Sequence, residues 1–476
     1  MSSPPLRANR DYRLLLTGST LDLLGSAMTS LAITLLAVQI TGSAGRAGII
    51  TAMYGVGQWV AMLPAGALVD RWDRKRTMVS TTAVGALVMA TVPLAEQLSG
   101  VTMAHLMAVA AAVGVLGCFY YPAERAALKR VVPAEQTGTA LSINQARGSA
   151  ASLLGSPLSG LLFTVHHTLP MLVDAITYAV AAVCAGAVRT PLPAPTGEKR
   201  PLSALGSGVA TGLRWVWRAR GVRDVVIGGI LLNLGINGAA TVAILALQLG
   251  GTSPTALGLM ESSFGAAGIL AALAAPAVLR RARIGTIARV GFAAVGVIGC
   301  LMAVNLSIWW IGAMLCLGVA CIAPVNAGMG AYTMRITPDE MQGRSGSASS
   351  FVSTAMMPLG TAGAGLLLEH LGARPAMAGF AVVPGGGRFS HFLGRPRYPS
   401  RGMLRMRPDN RPSDLQKWRE PTMRGRVGAA TDAARGPAPA MGRARGAVRA
   451  AALSGARRGC RSRRSPRPRP RRAGRP

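Results

Sequence analysis

GALVDRWDRKR, residues 66–76, closes a run of apolar and small residues and packs six charges into its last seven positions. A stretch that is oily over one membrane thickness and then abruptly ionic reads as the end of a bilayer-spanning helix, because about 20 apolar residues in helical form cross a hydrocarbon core. The wider composition agrees. Of the 476 residues, half are hydrophobic, only 14% are charged, and mean hydropathy is +0.37, whereas soluble domains carry roughly 25% charged residues.

Working outward from 66–76, apolar runs predict helices near 14–39, 47–69, 77–95, 102–121, 141–163 and 169–188, then near 224–248, 256–279, 286–304, 308–330 and 346–368. The fold class is all-α and polytopic. The first run follows Arg7, Arg10 and Arg13 but is too long for a signal peptide, so it is read as a retained span. A twelfth helix is expected after Arg374, yet the apolar run 376–383 stops after eight residues. The domain reading is a six-helix bundle over 1–188, a central cytoplasmic loop over 189–223, a second bundle over 224–383 whose sixth helix is broken, and a tail over 384–476.

Arg, Gly, Pro and Ala fill 62 of the 93 tail positions, a mixture expected to be disordered because it has too little apolar surface to bury. Those residue types are also the products of G/C-rich codons, so the tail reads as a slipped frame; a polybasic segment drawn to anionic lipid or nucleic acid is the alternative. No nucleic-acid partner is expected.

Short cytoplasmic loops collect Lys and Arg. Among residues 1–383, 24 of 26 basic residues fall in alternate loops on one side, with only Arg46 and Arg374 on the other. This predicts a plasma-membrane protein with a cytoplasmic N-terminus, and it puts 66–76 in the cytoplasm. Topology accounts for Arg71, Arg74, Lys75 and Arg76, but gives no reason for Asp70.

The chain also repeats itself. At a shift of 210, Gly48 meets Gly258, Tyr54 meets Phe264, Gly55 meets Gly265 and Arg71 meets Arg281; Asp70 falls on Arg280. At a shift of 205, VPAEQTG (132–138) meets TPDEMQG (337–343), and Gly155, Gly160, Leu161 and Leu162 meet Gly360, Gly365, Leu366 and Leu367. Parallel repeats of this kind are a recurrent transporter plan with the substrate site at the repeat interface.

These features resemble the major facilitator superfamily. GALVDRWDRKR is similar to its signature between helices 2 and 3, with Gly66, Asp70, Arg71, Arg74 and Lys75 at the expected positions and Asp73 where the family carries glycine. Residues 9–43 and the PAERAALKRVVPAEQ loop look most like the drug- and siderophore-exporter branch, which includes macrolide and enterobactin exporters. RGSAASLLGSPLSG (147–160) resembles the antiporter motif of helix 5 at Gly148, Gly155, Pro157 and Gly160. The resemblance implies two six-helix repeats of major facilitator type and alternating access. It also implies a conformational latch at 66–75, in which Asp70 lies near a helix start of the other half, an attraction of roughly 0.3–1 kcal/mol at exposed ends.

Ionisable groups inside spans cost at least ~2.5 kcal/mol on insertion scales and are functional candidates by default. Asp22, Asp174 and Glu261 are the candidates for coupling to protons or another cation, Asp22 lying deepest. Asn233 and Asn237, four apart on one helix face, are candidates for substrate binding or for an interhelical bond. No GxxxxGK[ST] loop, catalytic triad or zinc pattern is present, so neither an enzyme, a cofactor nor a metal is expected. The reading is a monomeric secondary transporter in the lipid bilayer exporting a drug-like or siderophore-like small-molecule substrate on proton motive force. The alternatives are a small-metabolite importer and a non-transporting membrane protein, either a receptor or a truncated, defective product.

Overall fold

The computed structural model describes residues 6–69, 71–193 and 202–385. The expected 384–476 tail lies outside the described residues from 386 on, as does Asp70. Thirteen α-helices run through the described residues: α1 (Arg10–Thr41), α2 (Ala44–Val69), α3 (Arg74–Leu98), α4 (Met103–Val131), α5 (Thr137–Val165), α6 (Leu169–Ala187), α7 (Leu202–Arg218), α8 (Arg220–Leu249), α9 (Pro254–Arg281), α10 (Ile284–Met302), α11 (Ile308–Ile336), α12 (Asp339–Leu371) and α13 (Ala373–Gly385). Ten of them have the length and hydropathy of a membrane span, and α2, with 26 residues and Arg46 as its one charge, is long enough as well. Among the described residues the twelfth membrane helix is short: α13 has 13 residues, about 20 Å at 1.5 Å per residue.

Local chemistry sets the boundaries. Asn9, Asp73, Thr102, Ser253 and Ser307 cap α1, α3, α4, α9 and α11 through their side-chain oxygens, each satisfying a backbone N–H with no partner inside the helix. Asp73, where the resembling family has glycine, accepts from the Arg76 amide at 2.8 Å. Gly42, at φ 59°, makes the left-handed turn that ends α1.

The helices form two bundles with the same internal pairing. In the first, α1 packs on α5 and α6, α3 on α4 and α6, and α2 on α4; in the second, α8 packs on α12 and α13, α10 on α11 and α13, and α9 on α11. Each pair of the first bundle thus recurs seven helices later. Across the bundles, α5 lies on α9 and α12 on α2.

The apolar core is distributed unevenly along the molecule. At the end where α1 finishes and α2 begins, one core runs through both bundles and includes Leu35 and Leu36 of α1, Met89 of α3, Leu245 of α8 and Ile311 of α11. Toward the opposite end each bundle keeps its own: Tyr12, Met78, Tyr120 and Leu128 in the first, Leu232, Phe292, Val325 and Met329 in the second. At that end Asp11 fastens α1 to the chain leaving α6, accepting from the Arg189 and Thr190 amides and from Thr190 Oγ1.

Two features depart from the reading of apolar runs. The central segment expected as a loop contains α7, which packs against the start of α12. The gap 122–140 left between the expected helices is only a short turn, since α4 runs on to Val131 and α5 begins at Thr137, with Arg147 ten residues inside it.

Candidate functional site

Among the described residues most of the buried carboxylates, Asp11, Asp22, Glu124 and Asp174, lie in the first bundle, and Asp224 lies in the second. Asp22 and Thr29 of α1 are seven residues apart and share a face, with Gly25 between them. Opposite stands Asp174 of α6, fully buried. Thr29 Oγ1 donates to Asp174 Oδ2 at 2.5 Å, and Thr177 Oγ1 lies 3.1 Å from Oδ1. A side chain at position 25 would overlap this carboxylate and the Thr177 hydroxyl, so glycine there is what lets α1 approach it.

Asp22 is 2% exposed, and its Oδ2 has no hydrogen-bond partner. Its charged neighbours are Asp174, Glu124 of α4 and Arg147 of α5. Arg147 pairs with Glu124 at 3.4 Å, both side chains being 11% exposed. Its Nη1 donates toward the Leu16 carbonyl at 2.7 Å, Ser19 Oγ at 2.5 Å and Thr20 Oγ1 at 3.1 Å, and Asn144 Nδ2 donates to Glu124 Oε1 at 3.4 Å. Glu124 and Asp22 therefore share one guanidinium as neighbour, while Asp174 neighbours Asp22.

Tyr54, Tyr120, Tyr121 and Tyr178 surround this cluster and all feel the Asp22 charge. Tyr178 OH lies 3.4 Å from Ser26 Oγ, and Gln58 Nε2 donates to Tyr54 OH at 3.0 Å. Sequence reasoning did not select Glu124, Arg147 or the tyrosines. The available signal was the sequence FYYPAER (119–125), where two tyrosines run straight into an acid at the edge of an apolar stretch.

The crossings between the bundles bring together residues that the repeat had paired. Gly160 of α5 lies against the Pro254 carbonyl of α9, and Gly365 of α12 against the Ala44 carbonyl of α2; 160 and 365 differ by 205, 254 and 44 by 210. Gly258 faces the Ser156 carbonyl as Gly48 faces that of Thr361, at the same two shifts. Thr164 and Thr255 hydroxyls meet at 3.0 Å across one crossing. At the related place in the other, Glu369 Oε2 accepts from the Gly45 amide at 2.7 Å and from Ser43 Oγ at 2.8 Å. These contacts, with Gln248 Nε2 donating to the Leu35 carbonyl at 2.7 Å, lie at the end where one core spans both bundles.

The remaining predicted residues are dispersed. Glu261 sits half-buried on α9 beside Ser156 of α5. Asn233 and Asn237 of α8 donate back to the carbonyls of Gly229 and Asn233, each at 2.8 Å. In helix 5, Gly155 faces Ala27 and Met28 of α1 whereas Gly160 faces the other bundle; Pro157 lies against Gly258, and a side chain at Gly148 would meet open space. Gly66 is exposed. Arg74 Nη1 donates to the Pro193 carbonyl at 2.7 Å and Lys75 Nζ to that of Val188 at 2.8 Å, tying the start of α3 to the chain after α6. Arg71 is also engaged.

The chain matches the Major Facilitator Superfamily over residues 15–364. The multidrug efflux pump Tap of Mycolicibacterium fortuitum is 26% identical over 365 residues, 73% of this chain and 87% of that protein. Tap of Mycobacterium tuberculosis is 26% identical over 220 residues, 44% of this chain, and the match spans about half (52%) of its length. Among solved structures, a bacterial homologue of the iron transporter ferroportin in an inward-facing state superposes with a TM-score of 0.62 at 15% identity, covering 83% of this chain and 100% of that one. The nucleoside transporter NupG does so with a TM-score of 0.61 at 14% identity, covering 80% and 99%. At such identities the likeness is one of fold.

Proposed function

The chain belongs to the Major Facilitator Superfamily and is a multi-pass membrane transporter, not an enzyme; from that premise we propose that it exports drug-like or siderophore-like small molecules at the expense of a proton gradient. The observation that carries this reading is the excess of buried acid in the first bundle. Arg147 balances one carboxylate of three. A charge left unpaired inside a membrane protein is expensive, so Asp22, with one carboxylate oxygen unpartnered, is the group whose charge a proton or a cationic substrate would neutralise. Both cannot occupy it at once, and competition of this kind couples one flux to the other.

The tyrosines around Asp22 extend the reading to substrate class. Aromatic faces beside a carboxylate attract organic cations, by about 0.5–2 kcal/mol per ring, which favours amphiphilic amines. The efflux-pump relatives support the direction. With the N-terminus in the cytoplasm, the joined end of the bundles is the outer one and the separated cores face inward, the state in which an exporter loads. In alternating access Asp70 and the basic residues after it hold the inner end shut in the opposite state. Asp70→Asn should accordingly abolish transport while the protein inserts normally.

The test is uptake into inside-out vesicles of a fluorescent lipophilic amine under an imposed pH gradient, interior acid. Accumulation that collapses with an uncoupler and is lost in Asp22→Asn, with normal insertion, is the expected result. Accumulation in right-side-out vesicles alone would establish the importer instead.

A further inference from the structure

We infer that the face of the first bundle at which α3 ends binds one divalent transition-metal ion through Glu96, His166 and His167. Glu96 lies in the last turn of α3, and the two histidines form the turn between α5 and α6. His167 Nε2 touches Glu96 Oε1, and His166 Nδ1 is 3.8 Å from Oε2. One ligand atom from each residue falls within 4.8 Å of the others. Metal–nitrogen and metal–oxygen bonds of about 2.0–2.2 Å hold tetrahedral ligands about 3.3 Å apart, so the side chains close on an ion by a shift of the order of an ångström.

The surroundings suit a cation. The imidazole rings stack at 4.7 Å with an interplanar angle of 11°, which limits their freedom before any ion arrives. Thr168 Oγ1 donates to Glu96 Oε2 at 2.6 Å, the orienting bond that metal-binding carboxylates commonly receive from a neighbour. The three side chains are 57%, 35% and 22% exposed for His166, His167 and Glu96, so an ion can reach them and keep water as its fourth ligand. On this side of the chain, Arg46 and Arg374 are the only basic residues that the loop pattern of residues 1–383 places, so little positive charge opposes binding.

Two imidazoles and one carboxylate select a zinc-type ion over calcium or magnesium, which take oxygen ligands. The site escapes a search for spaced ligands because His166 and His167 are adjacent and the third ligand comes from a helix 70 residues earlier. A bound ion would brace the ends of α3, α5 and α6, and α5 carries Gly160 and Thr164 to the crossing with α9.

The experiment uses the full chain in detergent, purified without a histidine tag and carrying His391→Ala and Cys460→Ser to remove tail ligands, titrated with Co²⁺ and separately with Zn²⁺. One ion per chain is expected, with visible absorption bands of tetrahedral cobalt displaced by zinc. Glu96→Gln and His167→Ala should each weaken binding at least tenfold, Thr168→Val by about 10–100-fold, and His105→Ala should leave it unchanged. Metal-free thermal midpoints show that each variant is folded. Absence of saturable binding below about 1 mM, or binding that survives both Glu96→Gln and His167→Ala, would overturn the assignment.

Discussion

Removing the Arg147 side chain should be among the costliest single changes in the first bundle. Arg147→Ala leaves Glu124 buried without its cation, and breaking a buried pair from one side costs about 3–5 kcal/mol. Pairing it with Glu124→Gln should recover part of that loss, which thermal unfolding of both variants in detergent would read. At this scale the sequence was only partly legible. Asp22 and Asp174 stand out as acids within apolar runs, but Arg147 sits near the start of its run, where it counts with the cytoplasmic loop charges. Glu124, at the edge of its own, hides in a similar way. Nothing along the chain indicates that the two meet 3.4 Å apart, since their partnership depends on how α4 and α5 pack.

At the scale of helices, the crossings rest on glycine. A side chain on Gly160 or Gly365 would overlap a carbonyl of the facing helix. Gly160→Val is therefore expected to destabilise the joined end by about 1–3 kcal/mol, the usual cost of overpacking. A cysteine at position 255 should then react faster with a membrane-impermeant maleimide. Glu369→Gln should move that labelling the same way but less, because the neutral amide still accepts a hydrogen bond from the α2 terminus. The spans were largely legible because hydropathy reports lipid contact. Their ends were not: α4 continues to Val131 and α12 begins at Asp339, where backbone hydrogen bonding continues beyond the oily stretch. Nor was α7, whose apolar residues recur at helical spacing rather than in a block.

For the whole molecule, the proposed alternating access predicts that the joined core at one end parts while the separate cores at the other close together. A Thr164→Cys, Thr255→Cys pair, in a background without native cysteines, should form a disulfide on oxidation and halt transport until reduced. Unchanged flux with the pair fully oxidised would mean that this end never opens. The duplication itself was readable in the two shifts, 210 and 205, but their meaning was not, since only the packed bundles show that they bring Gly160 onto 254 and Gly365 onto 44. Contacts related in this way are those of a two-fold dimer, in which residue i meets j and j meets i. A dimer of identical chains must accept every substitution twice. Fusing the copies into one polypeptide lifts that constraint, and here Glu369 faces Gly45 at one edge while Thr164 faces Thr255 at its mate. Two copies within one polypeptide thus leave a protein whose two seams can be tuned independently, one held by a charge and the other by a neutral contact.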